Sequence, residues 1–174
     1  MTLRSAVIVR VRLPRRLERL RVRRDPSAAS GIPAHVTILF PFLATSELTP
    51  AVRRSLTAIA GALAPFEVRF GRTGRFLDTL WLAPVPAEPF VALTEAVVAA
   101  FPGHPPYEGI HDEVIPHCTI ALGDAATLDR VERLASRELP FGQTVRALEV
   151  IAEDGEGGWR RHWRIRFRGA GVRP

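Results

Sequence analysis

The chain has 174 residues, 47% of them hydrophobic, with 24 basic side chains against 18 acidic ones and a formal net charge of +6 at pH 7. Every basic residue is arginine, which excludes chemistry built on a lysine amine: lysine adenylation, Schiff-base formation and phosphate binding by a P-loop lysine have no residue to work with. The size suits one domain, or two small lobes on a shared core. No apolar run reaches the ~18 residues of a membrane span, and arginines interrupt the N-terminal apolar stretch where a signal peptide would not carry them. With a single cysteine, Cys118, and hence no internal disulfide, a cytoplasmic monomer is expected.

In chain order, Ser5 to Leu13 is nearly all apolar before arginines enter, and predicts a buried strand ended by Pro14. Residues 15–24 place Leu17 and Leu20 among arginines at helical spacing, a short basic helix closed by Asp25-Pro26. A loop rich in Ser, Ala and Gly leads to a strand from His35 to Phe40, stopped by Pro41. Thr49-Pro50 predicts an N-cap with proline in the first turn, opening a helix through Ala64. Phe66, Val68 and Phe70 alternate with charged residues as a half-exposed strand, and Gly71 to Gly74 predict a turn.

A strand from Thr79 to Ala83 and a helix from about Glu88 to Phe101 follow. Residues 102–116 are too rich in Pro and Gly for regular structure, and predict a functional loop. Ile115 to Leu122 is the next strand and Thr127 to Arg137 an amphipathic helix. Two long strands, Thr144 to Glu153 and Trp159 to Arg168, close the chain through a Gly-rich hairpin turn. The order strand, helix, strand, helix, strand occurs twice, and suggests a duplication with one of the His-bearing strands at the centre of each lobe.

Two tripeptides stand out: His35-Val36-Thr37 and His117-Cys118-Thr119. Strand side chains alternate faces, so in each the His and the Thr share a face, while Val36 or Cys118 points the other way. Cys118 is thus expected to be a buried packing thiol. If the fold joins the two strands, an imidazole pair and two hydroxyls surround one small anionic group, a set suited to phosphodiester chemistry. No Asp, Glu or Cys lies at ligand spacing from either histidine on its strand face, so no metal is expected.

The settings Pro-Ala-His35-Val-Thr37 and Pro-His117-Cys-Thr119, with strands at both chain ends, resemble the 2H phosphoesterase superfamily, the bacterial RNA 2′-5′ ligase and cyclic phosphodiesterase group. The resemblance covers nearly the whole chain. It implies an α+β fold of two pseudo-symmetric lobes within residues 1–174, with antiparallel-type sheets around a central cleft and helices outside. It further implies that His35 and His117 are the acid and base, that Thr37 and Thr119 donate to nonbridging phosphate oxygens, and that no cofactor is needed. The expected activity is hydrolysis or reversible transesterification of 2′,3′-cyclic or 2′-5′ phosphodiesters of RNA or nucleotides. Ala121-Leu122-Gly123 offers no basic residue behind the second motif, which weights the expectation toward phosphodiesterase over ligase. Phe40 and Phe42 beside the first motif, and Tyr107 and His111 ahead of the second, are candidates for contacting a base or ribose. The arginines of 160–168 are read as either a solvated edge or an RNA track, and Trp81, Trp159 and Trp163 as core or lobe-interface residues. A protein that only binds terminal RNA phosphates is the alternative.

Overall fold

The computed structural model describes residues 2–105 and 115–169. Its strands are β1 (Ser5–Arg10), β2 (His35–Leu39), β3 (Phe66–Arg75), β4 (Thr79–Val85), β5 (Cys118–Leu122), β6 (Phe141–Val145), β7 (Ala147–Glu153) and β8 (Trp159–Arg166). The helices are α1 (Arg15–Arg24), α2 (Pro26–Ala29), α3 (Pro50–Ala62), α4 (Glu88–Ala100) and α5 (Ala125–Ala135). They make an α+β fold of two antiparallel four-stranded sheets, ordered β2-β1-β7-β8 and β5-β4-β3-β6.

Alternation along the strands welds both sheets to one core. Val7, Val9, Val36, Ile38, Leu148 and Val150 of the first sheet join Val68, Phe70, Leu80, Leu82, Cys118 and Ile120 of the second. Leu17, Leu56, Leu93 and Leu128 complete it from the helices. Each such side chain contributes about 1.5–3 kcal/mol on burial. The helices also lock the sheets reciprocally. Helix α1 leaves the first sheet and packs on β5 of the second, and α4 leaves the second and packs on β2 of the first.

Local chemistry sets the helix starts. Thr49 accepts a hydrogen bond from Val52 N at 3.4 Å with Pro50 in the first turn, and Asp124 accepts one from Thr127 N at 2.8 Å. The second cap starts α5 at Ala125, two residues before the predicted Thr127, and the helix gives way to a 3₁₀ turn over Ser136–Glu138. Asp25 caps α2 in the same way, accepting from Ser27 N at 3.0 Å ahead of Pro26, so part of the predicted Ser/Ala/Gly loop is helical.

Three further expectations change. The His-bearing strands are edges, not centres: among the described residues, β2 pairs only with β1, and β5 only with β4. The run 144–153 is not one strand, because the chain leaves the second sheet after Val145 and enters the first at Ala147. As a result both units' last strands, β3 and β6, lie in one sheet and pair with each other. Gly71 and Gly74 make no turn; β3 runs through both, with a bulge between Phe70 and Thr73, and the reversal comes at residues 76–78. Gly74 is there for space. It lies opposite Trp81 on β4, and a Cβ on it would meet the indole at 2.3 Å.

Gly74→Ala is therefore expected to overpack this contact, costing about 1–3 kcal/mol in urea unfolding and shifting tryptophan emission as Trp81 is displaced. Gly61→Ala, where an added Cβ meets nothing within 4 Å in the last turn of α3, is expected to be neutral or stabilising.

Candidate active site

Strands β2 and β5 are edges that lie against each other. His35 opens β2 and His117 immediately precedes β5. Val36 and Cys118 are fully buried between them, while His35, Thr37, His117 and Thr119 are half-buried on the other face. The two motifs use one orienting device. Nδ1 of His35 lies 2.8 Å from the Pro33 carbonyl oxygen, and Nδ1 of His117 lies 2.7 Å from that of Ile115. A carbonyl can only accept, so each Nδ1 carries the proton and donates it. The neutral rings are left with Nε2 as the basic nitrogen.

Burial is the main force on both rings. It pulls His35 down to about 4 against the opposing Pro33 carbonyl, with Arg21 and His117 adding smaller depressions and Asp25 a smaller rise. Burial likewise lowers His117, opposed by the Ile115 carbonyl. Both rings are neutral near pH 7. The Cys118 thiol is pushed up to about 12, chiefly by burial, although the His35 backbone amide beside it favours the thiolate. It is a packing group, as the strand alternation predicts.

On the first sheet, a cavity of about 370 Å³ contains His35 and Thr37 and is walled by Phe40, Trp159, Ile151 and Arg4. The Phe40 and Trp159 rings are 6.2 Å apart, and the Arg4 guanidinium lies over both at 5.8 and 5.9 Å. Glu153 holds that guanidinium, accepting from Arg4 Nε at 2.9 Å. On the second sheet, His117 stands edge-on to Phe76 at 5.1 Å and 5.9 Å from Trp81. Phe76, at the hairpin tip, is 40% exposed, and Leu77 beside it is fully exposed. Each histidine thus has its own aromatic pair.

Beneath His35 lies a buried ion pair. Arg21 is 1% exposed and its Nη2 lies 3.0 Å from Asp25 Oδ2. The same nitrogen donates to the Ile32 carbonyl at 3.0 Å and to Ser27 Oγ at 3.1 Å, tying down the segment that delivers Pro33 and His35. The segment is also pinned to β8, where Trp159 N donates to the Ser30 carbonyl at 2.7 Å. Gly31 follows at φ +85°, and a Cβ there would lie 2.9 Å from the Trp159 carbonyl oxygen. Only glycine combines that dihedral with that approach.

Of the predicted contacts, the structure brings Phe40 to the cleft but not Phe42, which is 4% exposed and packs edge-on against Phe101 at 5.0 Å in the core. Tyr107 and His111 lie outside the described residues. Arg4, Arg21 and Phe76 went unnoticed in the sequence, and Trp81 and Trp159, read as core or interface, flank the histidines. Trp163 does pack against the core. No signal in a single sequence marks Phe76, which the strand reversal alone carries to His117. Among the described residues no group of three or more His, Cys, Asp or Glu side chains gathers to hold a metal ion. No helix among them is long and apolar enough to cross a membrane.

A family model of the 2′-5′ RNA ligase superfamily matches residues 9–157. The chain belongs to that superfamily, the 2H phosphoesterases. Among similar proteins, one from Bacillus cytotoxicus whose name assigns it as a phosphoesterase is 27% identical over 150 residues, 82% of this chain and 83% of its own length. A Bacillus cereus protein of the same designation is 27% identical over 155 residues, 85% of this chain and 86% of its own. In fold, this superfamily member is similar to a crystal structure from Thermus thermophilus, with a TM-score of 0.64, 20% identity and coverage of 97% and 100% of the two chains. It is also similar to Escherichia coli LigT complexed with 3′-AMP, with a TM-score of 0.56, 18% identity and coverage of 95% and 99%.

Two outcomes follow from the electrostatics. Arg21→Met strands Asp25 and is expected to cost about 3–5 kcal/mol, part of which Arg21→Met with Asp25→Asn recovers by removing the uncompensated charge while keeping an amide cap. A histidine held near 4 when folded and near 6.5 when unfolded takes up its proton in the unfolded chain first. Stability is then fully present above about pH 6.5 and falls as the pH drops toward 4. The loss approaches about 3 kcal/mol for His35. Urea unfolding across that range should show a shallower fall for His35→Gln than for the parent chain.

Proposed function

We propose that this cleft cleaves, or reversibly forms, 2′,3′-cyclic or 2′-5′ phosphodiester linkages of nucleotides or RNA, with His35 and His117 as base and acid. The observation that carries this reading is the matched geometry: two half-buried imidazoles on facing strand edges, each fixed through Nδ1 and each with a threonine on its own face. Membership of the superfamily, the phosphoesterase designation of the Bacillus relatives and the 3′-AMP held by LigT support it.

Opening a cyclic phosphate takes one imidazole that is neutral, to accept a proton from the attacking water, and one that is charged, to protonate the departing ribose oxygen. Burial leaves both neutral near pH 7. A phosphodiester anion entering between them favours the imidazolium form, so the substrate itself supplies the charge that raises one ring. As phosphorus becomes pentacoordinate, negative charge grows on the nonbridging oxygens. Hydroxyls of Thr37 and Thr119 donating to those oxygens stabilise the transition state more than the ground state. In the reverse direction a ribose hydroxyl attacks and the histidines exchange roles, which would join ends without a nucleotide cofactor. The Phe40, Trp159 and Arg4 wall offers a base a stacking surface of rings and guanidinium. The scheme calls on no metal ion.

The test is turnover of 2′,3′-cyclic nucleotides and of cyclic-phosphate-ended RNA in excess EDTA. His35→Ala and His117→Ala are each expected to abolish it, and Thr37→Val or Thr119→Val to slow kcat by about 10²–10³-fold. Because both rings titrate below the ordinary histidine value, the kcat/KM bell is expected on the acid side of about pH 6.5, with the kcat bell displaced upward by bound phosphate. Full activity in either histidine variant would sink the mechanism. Tight binding of phosphate-ended RNA without turnover would leave recognition as the function.

A further inference from the structure

A second concavity, of about 990 Å³, opens beside the catalytic cleft, where the end of β1, the crossing from β6 to β7, and β8 converge. Five arginines line it, Arg10, Arg12, Arg146, Arg161 and Arg164, against one carboxylate, Glu149. Glu149 is 4% exposed and lies 3.6 Å from Arg161 and 3.7 Å from Arg164, so it anchors those two from below. Among the described residues, Arg10, Arg12 and Arg146 have no acidic partner, and all five arginines are exposed.

Charges on an edge strand are commonly a guard against sheet-to-sheet pairing. That accounts for Arg161 and Arg164 on β8, but not for Arg10, whose strand is paired on both sides, nor for Arg146 at the crossing between sheets. The groove floor is also fixed. Gln143 on β6 accepts from Arg12 N at 2.7 Å and donates to the Arg10 carbonyl at 2.9 Å, stitching the two sheets together under the arginines. A rigid cradle of like charges costs Coulomb energy unless a polyanion fills it.

The groove continues the cleft. Arg10 stands opposite His35 in the β1–β2 register and shares a face with Ile8, opposite Thr37. Along β7 and β8, Glu149 and Arg161 lie two residues from Ile151 and Trp159, which wall the cavity around His35. An aromatic platform at the reactive centre, followed by a basic track leading from it, is the arrangement that holds single-stranded nucleic acid: bases stack at one end and phosphates follow the track.

We propose that this groove is an exosite for the sugar–phosphate backbone of a single-stranded RNA whose reactive end lies between His35 and His117, making the protein selective for polynucleotides over mononucleotides. The placing of the reactive end rests on the function proposed above. The groove's affinity for the backbone does not.

The experiment pairs binding with turnover. Fluorescence anisotropy of a labelled, roughly 12-nucleotide RNA with a plain 3′-hydroxyl end is followed across a salt titration. In parallel, kcat/KM is measured for a cyclic-phosphate-ended RNA of that length and for a 2′,3′-cyclic mononucleotide. Arg12→Glu with Arg146→Glu breaks no ion pair among the described residues, and Arg12→Gln with Arg146→Gln serves as a milder pair. The glutamine pair is expected to weaken RNA binding about tenfold, to flatten the salt slope by about 1.4, and to bring the RNA-to-mononucleotide ratio of kcat/KM down toward unity. The glutamate pair should do more in each respect. Variants that bind RNA like the parent, or a parent that handles both substrates alike, would overturn the exosite. Loss of RNA binding in the variants together with no turnover by the parent would uphold the groove and place the failure in the proposed catalysis.

Discussion

The structure depends on two strand edges that face each other. An unpaired edge ordinarily presents a row of backbone donors and acceptors to water or to another chain, and most proteins cover or charge it. Here β2 and β5 are each paired on one side only and are brought together in the middle of the molecule, their apolar faces filled by Val36 and Cys118. What holds them is the exchange of helices, α1 onto β5 and α4 onto β2. Neither sheet can separate without uncovering the other's histidine-bearing strand, so the core and the cleft are stabilised by the same contacts.

That position explains the electrostatics. Rings half-buried between two sheets lose solvation, so both titrate low, and the carbonyls of Pro33 and Ile115 offset only part of the loss. Arg21 adds a positive charge beneath His35, yet its first effect is on geometry. One buried guanidinium gathers Asp25, Ser27 and Ile32, and the segment so fixed carries the carbonyl that sets the His35 tautomer. A buried pair of this kind is weak evidence for net stability. Its value lies in pinning a loop that has little apolar surface of its own. On the other sheet Trp81 serves His117 through packing, and the room for its indole comes from the absent side chain of Gly74.

Local pattern made much of this legible. The His/Thr face and the buried Val36 and Cys118 follow from strand alternation, and the cap at Thr49 follows from side-chain chemistry within three residues. Three of the corrections to the fold share a cause: each turned on a partner remote in the chain. The run from Thr144 to Glu153 contains no Pro or Gly to mark a break, and only pairing with β3 on one side and with β1 on the other divides it. Gly71 and Gly74 have turn composition, but the residue that explains Gly74 lies across the hairpin. The repeated order of elements suggests a motif strand at the centre of each lobe, whereas the pairing puts each at a sheet edge, covered by a helix from the opposite sheet. In the cleft, Phe40 and Phe42 are indistinguishable by sequence, and tertiary packing sends one to the cavity and the other to Phe101.

The two halves are alike in their chemistry and unlike in their walls. Each supplies a carbonyl-oriented histidine, a threonine and two aromatic rings. Beyond them, the first sheet carries Arg4, Arg10, Arg161 and Arg164 on the face that holds His35, while the second ends in the exposed Phe76-Leu77 tip beside His117. Acid–base catalysis by a symmetric pair has no inherent direction, since microscopic reversibility lets the two imidazoles exchange roles. Direction has to come from the surroundings. A charged wall on one side and an apolar tip on the other allow a phosphodiester with unequal substituents to lie favourably in one orientation, the polyanionic arm over the arginines. On the proposed reading, specificity would come from the β7–β8 hairpin, the sheet crossing at Arg146 and the tip between β3 and β4. These segments shape the walls and lie outside the two strands that carry the histidines.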